Sequence, residues 1–123
     1  MDPHSAEAAQ QHFARKLAFE TDPADVRAAQ LAGAADFVLV DTRTRKAFDA
    51  GHLPGALSLP HATIDPATTA ALPRSATIVT YCWSASCNAS TKGAVKLAAL
   101  GFRVKELIGG IAAWTADGYP VET

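Results

Sequence analysis

The chain alternates short runs of β-branched and other apolar residues with longer segments rich in alanine and charged residues. The apolar runs predict strands at Phe37 to Val40, ending at Asp41, at Thr77 to Tyr81 and at Arg103 to Leu107, with a shorter one at Ala56 to Leu59. The other segments predict helices over residues 5–19, Pro23 to about Ala32, Arg43 to Ala50, residues 90–100 and Ile111 to Ala116, and a short helix within Thr63 to Leu72. Such alternation is typical of an α/β fold, in which a parallel sheet is covered by helices on both faces.

Length and charge limit the classes of partner. The 123 residues suffice for one domain with its own core, and the 49% hydrophobic and 19% charged residues are globular values. The 11 basic and 12 acidic residues leave a net charge of −1, which provides no field for nucleic acid or for an anionic membrane. No apolar run approaches the length of a membrane span. We therefore expect neither nucleic acid nor membrane as a partner, and any attraction for an anionic substrate must be local.

The two cysteines, Cys82 and Cys87, are separated by only four residues. A disulfide between them would not join distant elements, so they are not a disulfide framework, and a reducing cytoplasm is the expected location. The first residues contain no basic region and no apolar stretch of signal-peptide length.

Residues 1–21 are predicted to form an N-terminal helix that packs on, or precedes, a domain of residues 22–123. An apolar stripe at helical spacing supports this helix and consists of Ala9, Phe13, Ala14 and Leu17. The alternative is that the stripe docks a partner protein.

Cys82 follows directly after the clearest predicted strand and precedes a loop of small residues and a helix. Ligands of open parallel sheets bind in the crevice at the carboxyl ends of the strands. Amide groups and the positive end of a helix dipole lower the pKa of a thiol and hold anions. The sequence therefore predicts a thiolate beside an anion-binding loop, although a buried, inert cysteine would fit the same position.

Four short segments occur in a fixed order: Phe37-Val38-Leu39-Val40-Asp41-Thr42-Arg43, Gly51-His52-Leu53-Pro54-Gly55-Ala56, Tyr81-Cys82, and Gly101-Phe102 through Gly109-Gly110-Ile111-Ala112-Ala113-Trp114. In this order and spacing they resemble the rhodanese-like (thiosulfate sulfurtransferase) domain family, from about Asp22 to Val121. The resemblance implies a parallel sheet of about five strands flanked by helices. It also implies that Cys82 takes sulfane sulfur from a donor as a persulfide and passes it to cyanide or a thiol.

The loop after Cys82 departs from the family pattern, because Ala85 and Cys87 stand where a glycine and an arginine or threonine are common. When the chain is counted back from Gly101, Ser90 matches the family's serine and the loop is about two residues longer than usual. The missing arginine argues against a phosphatase, which needs a bidentate clamp on a dianion.

The resemblance assigns Cys82 as the nucleophile, and the substrate-binding residues predicted with it are Trp83, Ser84, Ala85, Ser86, Cys87, Asn88, Ala89 and Arg43. Arg43 either supplies positive charge for an anionic donor or forms a structural ion pair with Asp41. Cys87 either resolves a Cys82 persulfide or sulfenate or is an inert lining thiol. The cysteines and His52 and His61 lack metal-ligand spacing, so neither a metal nor another cofactor is predicted.

The main hypothesis is therefore a sulfurtransferase that takes sulfur from a small anionic donor such as thiosulfate and delivers it to a thiol, cyanide or protein-thiol acceptor. The first alternative is a sulfur-carrier or redox-sensing module that uses a Cys82–Cys87 loop disulfide. The second alternative is an arsenate- or phosphate-handling enzyme.

Overall fold

A computed structural model describes residues 2–123 and contains a parallel sheet of five strands with helices between them. The strands are β1 (Glu20–Thr21), β2 (Phe37–Asp41), β3 (Leu57–Ser58), β4 (Thr77–Tyr81) and β5 (Arg103–Leu107). The helices are α1 (Ala6–Phe19), α2 (Pro23–Leu31), α3 (Arg45–Ala50), α4 (Ala89–Ala99) and α5 (Gly110–Ala116), and a 3-10 helix spans His61–Thr63. The α/β class expected from the alternation of segments is confirmed.

The strand order β1-β5-β4-β2-β3 places β4 in the middle of the sheet. From β2 the chain crosses first to β3 on one side and then to β4 on the other. The carboxyl ends of β2 and β4 therefore lie at a topological switch point, where open α/β sheets form their ligand crevice. The register pairs Asp41 with Tyr81 and Thr80 with Glu106, so polar residues of β2 and β5 flank the end of β4.

The sheet divides the core into two clusters. One contains Val26, Leu39, Leu53, Ala56, Val79, Tyr81, Leu107 and Trp114, and the other contains Val40, Leu59, Ile64, Ile78, Leu97 and Phe102. β4 contributes to both because alternate side chains of a strand point to opposite faces. α2 and α5 cover the first cluster through Val26 and Trp114, and α4 covers the second through Leu97. Helices thus flank both faces, as the sequence predicted.

The segment from Thr63 to Leu72 differs from its prediction. The 3-10 helix His61–Thr63 ends where this segment begins, and the segment itself forms turns in place of a short helix. The Thr68 amide donates to the Asp65 carboxylate at 2.8 Å, and the Asp65 amide donates to the Thr68 hydroxyl at 3.0 Å. These local side-chain hydrogen bonds compete with helix formation, as aspartate and threonine commonly do.

The N-terminal segment contributes both a helix and a strand. β1 pairs with β5, so the sheet begins before Asp22, where the domain was predicted to start. No residue of α1 is buried, and Phe13 and Leu17 are 58% and 78% exposed. The predicted apolar stripe is therefore largely open to solvent. Within residues 2–123, no helix combines the length and the apolarity needed to cross a membrane.

Candidate active site

Cys82 lies immediately after β4 at the switch point of the sheet, and its side chain is buried. Its sulfur is 3.2 Å from the carbonyl oxygen of Cys87 and 3.5 Å from the hydroxyl of Ser90. A thiol that contacts a carbonyl oxygen can only donate to it. The Cys82 side chain therefore faces acceptors in the loop and in α4.

The loop between Cys82 and α4 is closed by its own polar groups. The Cys87 amide donates to the Ser84 carbonyl at 3.1 Å, and the Ser86 amide donates to the Ser84 hydroxyl at 3.3 Å. Serine favours turns for this reason. The turn brings Cys87 next to Cys82. The predicted lining residues differ in exposure: those at the surface are Trp83, Ala85, Ser86 and Asn88, and those that are half-buried are Ser84, Cys87 and Ala89.

The Cys87 thiol occupies the position where the amides of this loop converge. Its thiolate is favoured by hydrogen bonding from the Ala89 and Trp83 amides and the Cys82 thiol, and by the charge of Lys92. Partial burial disfavours the thiolate, but these hydrogen bonds and the lysine charge outweigh it and lower the pKa of Cys87 below its ordinary value. Amides that were predicted to stabilise sulfur on Cys82 are thus directed at Cys87.

A carboxylate lies behind Ser90 and was not found by sequence reasoning. The Ser90 hydroxyl donates to Glu106 at 2.8 Å, and the exposed Thr91 hydroxyl donates to the same carboxylate oxygen at 2.7 Å. Because its proton is given to Glu106, Ser90 presents a lone pair to the Cys82 thiol. A chain of groups therefore leads from Cys82 through Ser90 to Glu106, and only the parallel register of β4 and β5 could have indicated it.

The start of the loop is anchored by α5. The amides of Ile111 and Ala112 donate to the carbonyls of Cys82 and Trp83, each at 2.9 Å. Gly110 permits this contact, since it has a φ of 61° and a Cβ there would lie 2.4 Å from the Cys82 carbonyl oxygen. The Gly109-Gly110 turn predicted near the site thus brings a helix against the loop.

Arg43 forms a buried ion pair with Asp41. Its guanidinium donates to both Asp41 carboxylate oxygens and to the Gly51 carbonyl, and the side chains of the pair are 2% and 0% exposed. Burial disfavours the guanidinium charge, but the Asp41 partner outweighs it and raises the pKa of Arg43. The guanidinium also lies 4.4 Å from the centre of the Trp83 ring. This arrangement favours the predicted ion pair over a role in attracting the donor.

His52 is also held by its surroundings. Its Nδ1 is 2.9 Å from the Phe48 carbonyl oxygen, and its ring stacks on the Phe48 ring at 3.8 Å between centroids. These contacts fit the structural role expected for this histidine.

A cleft of about 400 Å³ lies beside the loop. It is lined by Ser84 to Asn88 and by Lys16, Glu20, Ser90, Thr91, Glu106, Leu107, Ile108 and Gly109. A larger apolar groove of about 650 Å³ runs between α1 and α4 but includes neither cysteine. Of the two cysteines, Cys87 lines the smaller cleft and Cys82 does not.

The family model for the rhodanese-like domain matches residues 22–117. The chain belongs to the rhodanese-like domain family. All four segments on which the resemblance rested lie within the matched residues, and the expected family is confirmed.

Two relatives are each 37% identical to this rhodanese-like domain. A sulfurtransferase from Allochromatium vinosum aligns over 75% of the chain and 84% of its own length. An HTH-type transcriptional regulator from Mycobacterium tuberculosis aligns over 72% of the chain but only 39% of its own length. The chain thus spans less than half of that regulator.

A solved structure from Bacillus halodurans is 42% identical to this rhodanese-like domain. It superposes with a TM-score of 0.93 and covers 96% of this chain and 86% of that one. The predicted sheet of five parallel strands flanked by helices is confirmed by the topology and by this likeness.

Proposed function

We propose that this rhodanese-like domain is a sulfurtransferase in which Cys82 carries the sulfur as a persulfide. The observation that carries the proposal is the position of Cys82, a buried thiol at the switch point of the sheet beneath a loop of amides and hydroxyls. Family membership and the sulfurtransferase relative support the same chemistry.

In the first step the Cys82 thiol loses its proton and attacks the outer sulfur of an anionic donor such as thiosulfate. The donor's S–S bond breaks, sulfite leaves, and a persulfide forms on Cys82. Ser90, backed by Glu106, lies where that proton is released.

In the second step a nucleophile takes the outer sulfur and Cys82 is regenerated. Cyanide or a thiol, including a protein thiol, is the acceptor class that this chemistry requires. The step needs no metal and no other cofactor. A reducing cytoplasm suits it, because the thiols must be free, as both cysteines are here.

The test is sulfite release on mixing with thiosulfate, together with intact mass. Cys87→Ser, which retains a single cysteine, is expected to release one sulfite per chain and to gain one sulfur atom. Cys82→Ser is the matched control and should do neither. If neither the unaltered protein nor Cys87→Ser releases sulfite, the proposed function is wrong.

A second candidate function is a redox-sensing or sulfur-carrier module. The contact of 3.2 Å between the Cys82 sulfur and the Cys87 carbonyl oxygen favours it, since the two cysteines are already adjacent and a disulfide needs only a local change. Under this alternative, hydrogen peroxide would oxidise the two thiols to a disulfide, which lowers the mass by two hydrogens. Thiosulfate would release no sulfite. An oxyanion-handling enzyme has weaker support, because residues 83–89 contain no arginine.

A further inference from the structure

Cys87 is placed against the sulfur that would carry the persulfide. It lies five residues after Cys82, in a turn that its own amide closes on the Ser84 carbonyl at 3.1 Å. Its carbonyl oxygen lies 3.2 Å from the Cys82 sulfur, so the two residues are in direct contact. Neither thiol is paired in a disulfide.

A persulfide on Cys82 would bring a second anion into a loop whose amides already serve the Cys87 sulfur. Two like charges in contact raise each other's free energy. Expelling one of them as a leaving group relieves this repulsion. The neighbouring nucleophile best placed to do so is Cys87 itself.

We propose that Cys87 resolves the Cys82 persulfide by attacking its inner sulfur, so that the sulfur leaves as sulfide and a Cys82–Cys87 disulfide remains for an external dithiol to reduce. This inference rests on the proposed function and deepens it. Under this proposal the sulfur is not delivered directly to cyanide or to a single external thiol. Cys87 displaces it as sulfide, and an external dithiol then reduces the disulfide.

The step balances. The proton that Cys82 releases toward Ser90 and Glu106 in the first step returns to the outer sulfur of the persulfide. The Cys87 thiolate then forms a bond to the Cys82 sulfur, the bond between the inner and outer sulfurs breaks, and HS⁻ leaves. Together with the first step, thiosulfate, the Cys82 thiol and the Cys87 thiolate yield sulfite, HS⁻ and the disulfide. The two electrons that reduce the outer sulfur come from the two cysteines.

The exposure of the two sulfurs decides how the disulfide is reduced. Cys82 is 2% exposed, whereas Cys87 is half-buried at the loop surface. A reductant therefore attacks Cys87 and releases Cys82 first, which restores the nucleophile. A dithiol completes the reduction because its second thiol resolves the mixed disulfide on Cys87.

The experiment is a single turnover with thiosulfate and no reductant, in which sulfite, sulfide and intact mass are measured together. The unaltered protein should release one sulfite and one sulfide per chain and lose two hydrogens, with the bridge inside tryptic peptide 75–92, which contains both cysteines. Cys87→Ser should release sulfite but at least tenfold less sulfide, and should keep the added sulfur. Cys87→Ala separates loss of the thiol from any effect of the serine hydroxyl. It should give the same sulfite, sulfide and mass results as Cys87→Ser.

The outcomes distinguish the two proposals. Sulfite without sulfide from the unaltered protein, with the added sulfur retained on either cysteine, would overturn the role of Cys87 and leave the sulfurtransferase standing. No sulfite from any variant would overturn the proposed function. With dithiothreitol as the probe dithiol, the first sulfide from the unaltered protein should appear at a rate independent of its concentration. The rate for Cys87→Ser should instead rise in proportion to dithiothreitol.

Discussion

The Ser90 hydroxyl lies 3.5 Å from the Cys82 sulfur while it donates its own proton to Glu106. We predict that Ser90→Ala slows sulfur gain from thiosulfate by about fivefold, because one hydrogen bond of about 1 kcal/mol to the reacting thiol is lost. The measurement is the second-order rate of sulfite release by Cys87→Ser with and without the second substitution.

Thr91→Ala is the matched control for Ser90→Ala. Thr91 donates to the same Glu106 oxygen, but it is Ser90 that contacts the Cys82 sulfur. Its rate should stay within about twofold of the parent, since only the exposed end of the network is changed. Equal slowing by both substitutions would show that Ser90 acts only through Glu106.

The second prediction concerns the protonation of Cys87. Because its pKa is lowered in the folded protein, the thiolate persists to lower pH than in free cysteine. The alkylation rate of Cys87 by iodoacetamide should therefore reach its plateau at a lower pH than that of free cysteine. Fragment mass spectrometry of the peptide that contains both cysteines separates Cys87 from Cys82.

Lys92→Gln should shift that alkylation profile toward higher pH, because the nearby positive charge that favours the thiolate is removed. Lys46→Gln makes the same change of net charge on exposed α3 and should leave the profile in place. A profile that moves equally in both variants would mean that Lys92 acts through net charge alone.

The third prediction concerns the buried Asp41–Arg43 pair. Asp41→Asn leaves the Arg43 charge buried without a counter-charge and should lower the free energy of unfolding by about 3 kcal/mol. Asp49→Asn breaks the exposed Arg45–Asp49 pair, whose side chains are 71% and 58% exposed, and should cost less than about 1 kcal/mol. Urea unfolding followed by tryptophan fluorescence measures both, and similar losses would contradict the structural role given to Arg43.

The fourth prediction concerns the contact between α5 and the loop. Gly110→Ala places a Cβ against the Cys82 carbonyl at a φ of 61°, and we expect a loss of about 3 kcal/mol or more. Gly118→Ala has a similar φ of 81° but no atom within 4 Å of the new Cβ, so it should cost only the backbone strain of about 1 to 2 kcal/mol. Thermal unfolding compares them, and the steric argument fails when Gly118→Ala is the more damaging.

Much of the fold could be predicted because its signals are local. The run from Thr77 to Tyr81 is a strand with the predicted bounds. Asp22 caps α2 through a 2.8 Å hydrogen bond from the Asp25 amide, and Gly33 follows with a φ of 72°. These signals lie within a few residues of the feature that they predict.

What could not be predicted depends on distant partners. β1 has two residues, too few for a periodic pattern, and exists because β5 pairs with it. Glu106 reaches the site through the register of β5 beside β4. The position of Cys82 after a strand was readable, but the direction of the loop amides toward Cys87 depends on how Ser84 closes the turn.

The anchoring of the loop by the Ile111 and Ala112 amides has a consequence for biosynthesis. Both cysteines are translated some twenty-five residues before α5, the helix that holds their loop. During synthesis the N-terminal part of a chain begins to fold first. Until residues 110–116 leave the exit tunnel, the carbonyls of Cys82 and Trp83 lack these donors. The nascent polypeptide therefore carries both cysteines in a loop that lacks these hydrogen bonds until α5 has been made.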